Sequence, residues 1–462
     1  MYRKLNIHFV GIGGIGMSGI AEVLHNLGNH ISGSDLKRTP VTDRLKRLGI
    51  RIGIGHKAKN IGTADVVVVS TAIDKTNIEI QEALKYGIRI IRRAEMLAQI
   101  MRLIKYGIAV AGTHGKTTTT SLLASIVHEA GLDPTLIIGG RLNSMRTNAK
   151  LGKGDFIIAE ADESDGSFLH LLPTITIVTN MDAEHMDHYG NFENYREAFR
   201  KFCDLIPFYG VNVLCGEHPE TVKLAKQSKK RFLLYGFSKQ HDLNAQNVTF
   251  DGIACEYELY FKDRFVDRIR VNIPGLHNVL NSLAAIAVAS ELGISIKVTK
   301  KSLGGFKGVG RRMELLHQAG GITVIDDYGH HPVEIQATLK AVRKAFAGRL
   351  VVLFQPHRFT RTRDLFDDFV KSFGLADQLF ITDIYAASEK PIKGVTSQSL
   401  VKEIQQKKSD ACVQYIPKNE TIAETLVNFL KPGDIFLSLG AGDVTKIGHE
   451  VAKKLKKRKS HP

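Results

Sequence analysis

The sequence predicts an α/β protein divided into about three domains, and three observations carry that expectation. Its 462 residues exceed what one hydrophobic core ordinarily serves, since domains centre on roughly 100–150 residues. Short apolar runs alternate with stretches whose apolar residues recur at helical spacing. The runs then stop at glycines or at clusters of charged residues, which is where ligands lie in an open α/β sheet.

Composition narrows the class. Hydrophobic residues make up 43% and charged residues 24%, as in a soluble globular chain. Cys203, Cys215, Cys255 and Cys412 show no paired metal spacing, so free thiols in a reducing compartment are expected. Met1-Tyr2-Arg3-Lys4 leads straight into a short strand and glycines, without the apolar core of a signal peptide. No apolar run approaches the roughly 20 residues that cross a bilayer. A cytoplasmic protein without membrane insertion is the expectation. The net charge of +16 fits either a polyanionic partner or small anionic substrates on a basic surface. With no zinc finger, recognition helix or aromatic–basic interleaving, the second reading is favoured and no nucleic acid is expected. The Lys453–Lys459 run is read as a frayed terminus.

Taken in order, residues 5–10 form a strand that meets Gly11-x-Gly13-Gly14-Ile15-Gly16 and then a helix over residues 17–27. A second strand near Ile31 ends at Ser34-Asp35, about twenty residues past the glycines. Tight turn, helix start and acidic residue together suit a dinucleotide or a nucleotide diphosphate such as UDP. The spacing does not separate NAD from UDP, and a glycine turn that merely packs helix on strand remains open. The strand at residues 65–70 carries the continuous apolar run 66–69, as when both faces of a strand are covered, and ends at Ser70-Thr71 beside the same turn.

A boundary is expected at Tyr106-Gly107. The strand at residues 107–110 then enters Gly112-Thr113-His114-Gly115-Lys116-Thr117-Thr118, followed by a helix over residues 121–128. Strand, glycine turn and helix are the setting of a phosphate loop. Backbone N–H groups face inward, Lys116 reaches the outer phosphates, and Thr117 holds a magnesium ion. Val110 stands where the long motif has glycine, so this is a shortened form; a plain turn with a solvated lysine is the alternative.

The strand at residues 156–159 ends in Glu160-Ala161-Asp162-Glu163-Ser164-Asp165, and that at 175–179 in Asn180-Met181-Asp182-Ala183-Glu184-His185-Met186-Asp187-His188. Such ends, flanking a phosphate loop, suit hard magnesium, and two ions would clamp both transferring oxygens. Zinc on His185 and His188, one helical turn apart, is a rival, as is a plain charged loop.

Residues 247–274 read as a β-ribbon with turns at Asp251-Gly252 and Lys262-Asp263. A helix over residues 278–292 carries Asn278 and Asn281 on one face, as cap and core amides or as readers of a base edge. Gly308-Val309-Gly310-Arg311-Arg312 closes the central region. A third α/β unit follows, with strands at 322–325, 350–354 and 435–437. Their ends are Asp326-Asp327-Tyr328-Gly329-His330-His331-Pro332, Gln355-Pro356-His357-Arg358-Phe359-Thr360-Arg361, and Ser438-Leu439-Gly440-Ala441-Gly442-Asp443. Arg358 and Arg361, one turn apart, suit a carboxylate or developing oxyanion, or simply a solvated helix face.

With these motifs in place the chain resembles the Mur ligase family, almost end to end, through residues 10–19, 111–119, 160–167, 326–332 and 354–365. The resemblance implies an N-terminal Rossmann-like domain for a UDP sugar (residues 1–106). It implies a central P-loop ATPase domain with a mixed sheet (107–313), and a C-terminal Rossmann-like domain that closes over the amino acid (314–462). It is strongest to the alanine-adding branch, whose substrates are UDP-N-acetylmuramate, L-alanine and ATP, with magnesium, two ions in all. By matching position, Gly112, Thr113, His114, Gly115, Lys116, Thr117, Thr118, Asn278, Asn281 and Tyr328 bind ATP. Thr117, Glu160 and His185 bind metal. Gly11, Gly13, Gly14, Ile15, Gly16, Asp35, Ser70 and Arg311 bind the UDP sugar. Lys116, His185, His330, Arg358 and Arg361 serve catalysis. Several sister ligases carry a carbamylated lysine where this chain has Arg200, next to Lys201, so that modification is not carried over. Three rivals stand beside this reading: a sister ligase attaching a recycled peptide to the same sugar, an NAD-dependent oxidoreductase, and a nucleic-acid-stimulated ATPase.

Overall fold

The strands gather into three sheets, as the alternation of apolar runs and helical spacing requires. A computed structural model describes residues 4–70, 72–142, 147–387, 389–407 and 412–458. Thr71 and Lys459, both named above, lie outside the described residues.

The first sheet contains β1 (Asn6–Val10), β2 (His30–Asp35), β3 (Arg51–Ile54), β4 (Val66–Val69) and β5 (Arg89–Arg92), in the order β3-β2-β1-β4-β5. Its strands are all parallel. The accompanying helices are α1 (Ile15–Asn26), α2 (Pro40–Arg47), α3 (Ile78–Lys85) and α4 (Arg93–Arg102). The chain order reverses at β1 and β4, the switch point at which such sheets take ligands.

The second sheet has ten strands: β6 (Tyr106–Ala111), β7 (Thr135–Leu142), β8 (Thr147–Lys150), β9 (Phe156–Glu160), β10 (Ile175–Val178), β11 (Val211–Cys215), β12 (Phe232–Gly236), β13 (Leu243–Asp251), β14 (Ala254–Phe261) and β15 (Arg264–Val271). Its order is β15-β14-β13-β12-β11-β10-β6-β9-β7-β8. With it go α5 (Lys116–Glu129), α6 (Met186–Tyr189), α7 (Phe192–Asp204), α8 (Pro219–Gln227), α9 (Leu276–Glu291) and α10 (Ile296–Gly304). The two short turns expected in the ribbon stand at residues 252–253 and 262–263, between β13, β14 and β15.

The third sheet contains β16 (Glu314–Ala319), β17 (Ile322–Asp327), β18 (Arg349–Phe354), β19 (Gln378–Ile381), β20 (Cys412–Tyr415) and β21 (Asp434–Leu439), ordered β16-β17-β21-β18-β19-β20. Only β16 runs antiparallel to its neighbour. Its helices are α11 (Pro332–Ala345), α12 (Phe359–Asp364), α13 (Phe366–Ser372), α14 (Ser397–Lys407), α15 (Ile422–Phe429) and α16 (Val444–Arg458).

By contacts the chain forms two compact units. One comprises residues through Asn247, Tyr257–Ile269 and Leu280–Phe306; the other comprises Val248–Glu256, Arg270–Val279 and everything from Lys307 on. Within the first unit a single apolar cluster runs from Phe9, Ile20 and Leu24 through Met96 and Ile100 to Ala159, Phe168 and Phe199. Helices α1, α2 and α4 therefore share a core with the phosphate-loop region. In the second unit, apolar clusters cover both faces of the third sheet, one through Ile335, Leu339 and Phe354, the other through Val351, Phe436 and Val451.

Two expectations are corrected here. The basic tail is not frayed: α16 continues through Arg458. Val444, Ile447, Val451 and Leu455 recur at helical spacing and are buried, Lys454 pairs with Glu424 at 2.5 Å, and Arg458 donates to the Val427 carbonyl. Lysines in its last turn also oppose the negative end of the helix dipole. Likewise Arg358 is not on a helix face with Arg361. It precedes α12 with φ +70° and donates its N–H to the Tyr385 carbonyl.

Candidate active site

The phosphate loop lies between β6 and α5, and α5 starts at Lys116, five residues earlier than its apolar spacing suggests. Gly112 has φ +127°, and a Cβ there would fall 2.2 Å from Thr179 Oγ1. Gly115 has φ +85°, and a Cβ would fall 2.6 Å from Asn281 Oδ1. Both positions demand glycine. The end of β10 braces the turn: His114 N–H donates to Asn180 Oδ1 at 2.8 Å, and Asn180 Nδ2 donates to the His114 carbonyl at 3.0 Å. Thr113 Oγ1 accepts from Asp182 N–H at 2.9 Å and lies 3.1 Å from the Tyr195 hydroxyl. Thr119 Oγ1 donates to Asn281 Oδ1 at 3.1 Å, fastening α5 to α9.

Because β6 is flanked by β9 and β10, the acid-rich ends of those strands fall beside the loop, as the sequence leads one to expect. Glu160 is paired in register with Val110. Thr117 and Thr118 lie in the first turn of α5. His185 stands just before α6 with φ +60°, its Nε2 3.5 Å from Glu184.

Lys116 is folded onto its own loop. Its ammonium donates to the carbonyls of Gly112 and Thr113, at 2.5 and 3.2 Å, and to Glu163 Oε1 at 2.8 Å. Glu163 is 1% exposed, and its Oε2 has no hydrogen-bond partner among the described residues. Burial pushes the Glu163 carboxyl up to about 7 despite the ammonium beside it. Burial also works against the charge on Lys116, but Glu163, Asp162 and Glu160 outweigh it and keep the lysine protonated. Four carboxylates or hydroxyls of hard oxygen (Thr117, Glu160, Asp162, Glu163) therefore stand at or next to the loop, one buried oxygen still unsatisfied, and this donor set suits magnesium. Sequence reasoning passed over Glu163 as one acid in a run; burial alone singles it out.

At the N-terminal glycine loop, Gly11 and Ile12 N–H both donate to the Ser34 carbonyl at 2.9 Å, and Gly13 N–H donates to Asp35 Oδ2 at 2.8 Å. Asp35 thus holds the loop closed from β2, and Gly14 leads into α1 at Ile15. Ser70 follows β4 directly. Beneath lies a network the sequence gives no signal for. Glu79, wholly buried on α3, accepts from Ser34 Oγ at 2.5 Å, Asn60 Nδ2 at 2.5 Å and Lys57 N–H at 3.0 Å, with His8 Nε2 at 3.3 Å.

In the second unit, Tyr328, His330, His357, Arg361 and Tyr385 form one group. Tyr328 and His330 meet edge to face at 5.3 Å, His330 and His357 at 5.6 Å, and His357 stacks on Tyr385. His330 Nδ1 faces the Tyr328 carbonyl at 3.1 Å and Glu334 at 3.2 Å, both acceptors, so Nδ1 carries the proton and Nε2 is the basic nitrogen. Burial pushes His330 down to about 3, with Glu334 opposing and Arg361 adding to the effect. Burial pushes His357 down to about 4, with Arg361 and Arg358 adding to it. Arg361 donates to His357 Nδ1 at 3.3 Å. Arg311 is committed within this unit: it donates to the Gly440 and Gly442 carbonyls at 2.6 and 2.9 Å, and it stacks with Arg312 against the Tyr328 ring. Asn278 Nδ2 donates to the Pro274 carbonyl four residues back, at 2.7 Å. Arg200 lies on an exposed face of α7, paired with Glu197 and Asp204.

Three family models match the chain: "Mur ligase family, catalytic domain" over residues 6–105, "Mur ligase middle domain" over 110–289, and "Mur ligase, glutamate ligase domain" over 311–442. A UDP-N-acetylmuramate–L-alanine ligase of Geobacter sp. (strain M21) is 52% identical over 99% of this chain and 100% of its own length. Among solved structures, the UDP-N-acetylmuramate-alanine ligase of Thermotoga maritima is 29% identical and superposes with a TM-score of 0.84, covering 98% of this chain and 100% of that one. A murein peptide ligase from Psychrobacter arcticus is 26% identical with a TM-score of 0.71, covering 98% of both chains.

Proposed function

The chain belongs to the Mur ligase family, and from that premise we propose that it joins L-alanine to the carboxylate of UDP-N-acetylmuramate, converting ATP to ADP and phosphate. The observation that carries the reading is Lys116, held in a glycine turn between two acid-ended strands. The full-length identity to an alanine-adding ligase, against 26% to the peptide ligase, favours alanine over a recycled peptide as acceptor. The reaction belongs to the cytoplasm, where ATP is available; no helix among the described residues is long and apolar enough to cross a membrane. We place the domain boundaries at 106/107 and 313/314.

In this scheme Asn180 holds the Thr113 and His114 N–H groups so that the turn keeps its shape, the N–H groups at the start of α5 face the ATP phosphates, and Lys116 leaves Glu163 to meet the outer ones. Thr117, Glu160 and His185 would hold magnesium, which when bound neutralises the charge spread over the transferring phosphoryl group. Positioning and charge neutralisation then suffice for the muramate carboxylate to take the γ-phosphoryl group, giving an acyl phosphate. Gly11–Gly16 and Asp35 orient the UDP sugar, and Ser70 lies at the same strand ends. Asn281 fixes the loop from α9, and Asn278 and Tyr328 belong to the nucleotide side. The neutral amine of alanine attacks the acyl carbon, the neutral His330 Nε2 accepts a hydrogen bond from it, and the proton the amine loses leaves with the phosphate. Arg358 and Arg361 stabilise the anionic tetrahedral intermediate, which expels phosphate. Arg311 acts indirectly, by fixing the Gly440–Gly442 turn. ADP release measured with and without UDP-N-acetylmuramate and L-alanine tests the proposal: turnover must need both. Turnover with a tripeptide but not with L-alanine would transfer the reading to the peptide-adding sister.

A further inference from the structure

Arg93 opens α4 and reaches two places at once. Its guanidinium lies against the first turn of α1: a Cβ on Gly16 would fall 2.7 Å from one of its terminal nitrogens. Only glycine leaves room for it there. The other terminal nitrogen donates to Asp162 Oδ2 at 2.7 Å, in the acidic run that follows β9. Gly16 belongs to the loop assigned to the UDP sugar, and Asp162 stands between Glu160 and Glu163 at the nucleotide loop. The helix that carries Arg93 packs on α1 on one side and on the short turn Ser167–His170 on the other.

A guanidinium at the positive end of a helix is electrostatically misplaced unless an anion accompanies it. Asp162 is the anion present, and it lies in the other half of the unit. A pyrophosphate arriving at α1 offers two charged oxygens in bidentate geometry, the arrangement arginine matches well.

We propose that Arg93 is a binding residue for the UDP-sugar pyrophosphate and, because it must leave Asp162 to bind, couples that site to the nucleotide site. The proposal rests on the ligase reading above. Its sign follows from what Asp162 regains: released from Arg93, the carboxylate becomes a hard-oxygen donor beside Glu160 and favours the magnesium carried by the nucleotide. By linkage the nucleotide must favour the sugar equally.

Titration calorimetry of UDP-N-acetylmuramate tests this, with and without magnesium and the non-hydrolysable analogue AMP-PNP, on wild type, R93A, R93K and D162N, with the melting temperature of each recorded. Wild type is expected to show positive coupling in the usual range of about 5- to 150-fold. R93A should bind the sugar alone about tenfold or more weakly, as loss of a charge-assisted contact implies, and should lose the coupling. R93K, with a point charge in place of a fork, should fall between the two. D162N should bind the sugar alone as tightly as wild type or more tightly, since Arg93 is released, and should also lose the coupling. A purely structural ion pair predicts the reverse for D162N, and weaker sugar binding in it would overturn the proposal. Unchanged sugar affinity or unchanged coupling in R93A would do so as well. If wild type does not bind the UDP sugar at all, it is the ligase reading that fails.

Discussion

Glu79 makes acid stability of the first sheet a measurable consequence of one side chain. Its carboxylate is wholly buried, and burial alone would raise it. Hydrogen bonds from His8, Ser34, Asn60 and the Lys57 N–H win instead and bring it from the ordinary 4.5 down to about 2. At about 1.36 kcal/mol per pH unit, that gap makes the ionised form worth roughly 3 kcal/mol to the folded state. The sign is fixed by the direction of the change. A carboxyl depressed on folding contributes fully above its unfolded value near 4.5, and the contribution fades as pH falls from there toward 2. Glu79→Gln keeps the volume and loses the charge, so it should lower stability by about 2–3 kcal/mol at pH 7, in the range for hydrogen bonds to charged groups. Urea unfolding at pH 7, 5, 4 and 3, followed by hydrogen exchange at β1 and β2, isolates this region from the rest of the chain. Wild type and variant should converge as the pH drops. A difference that stays constant from pH 7 to pH 3 would refute the reasoning, because it would show that shape rather than charge holds the network.

Other expectations follow from the same geometry. Lys116→Ala should cut turnover on the order of 10²-fold or more, as loss of a charged contact to the transferring phosphoryl group does; near-normal ADP release would sink its assignment. Gly115→Ala, at φ +85° and 2.6 Å from Asn281 Oδ1, should abolish AMP-PNP binding while UDP-sugar binding survives, which calorimetry separates. Arg361→Lys keeps the charge but loses the fork that reaches His357; it should raise the KM for alanine or lower kcat by about tenfold in steady-state assays. Ending the chain before Lys453 removes buried Leu455 and the Lys454 and Arg458 contacts, and thermal melting should fall by several degrees.

Much of this architecture was readable from residues alone, for identifiable reasons. A phosphate loop needs its glycines in fixed places, and acid-ended strands beside it are expected wherever parallel strands deliver ligands at their carboxyl ends. The sheet order bears this out by seating β6 between β9 and β10. Glu79 and Arg93 were invisible because their partners lie 19 to 71 and 69 residues away in sequence and neither lies in a motif. Arg358 misled because spacing counts residues and does not register a backbone at φ +70°. The tail misled because its lysines overshadow Val451 and Leu455, whose burial decides that it is helical. Asn278 had two open readings, and its bond to Pro274, donated by Nδ2, is compatible with either.

The folded-down Lys116 has a consequence for which anions the protein accepts. An inorganic phosphate drifting into the glycine turn would have to displace a carboxylate and two carbonyls to gain one ammonium, a poor exchange. A nucleoside triphosphate brings enough further contacts to tip the balance. The expected consequence is a threshold: free phosphate should bind weakly, and a triphosphate able to unseat the lysine should bind well.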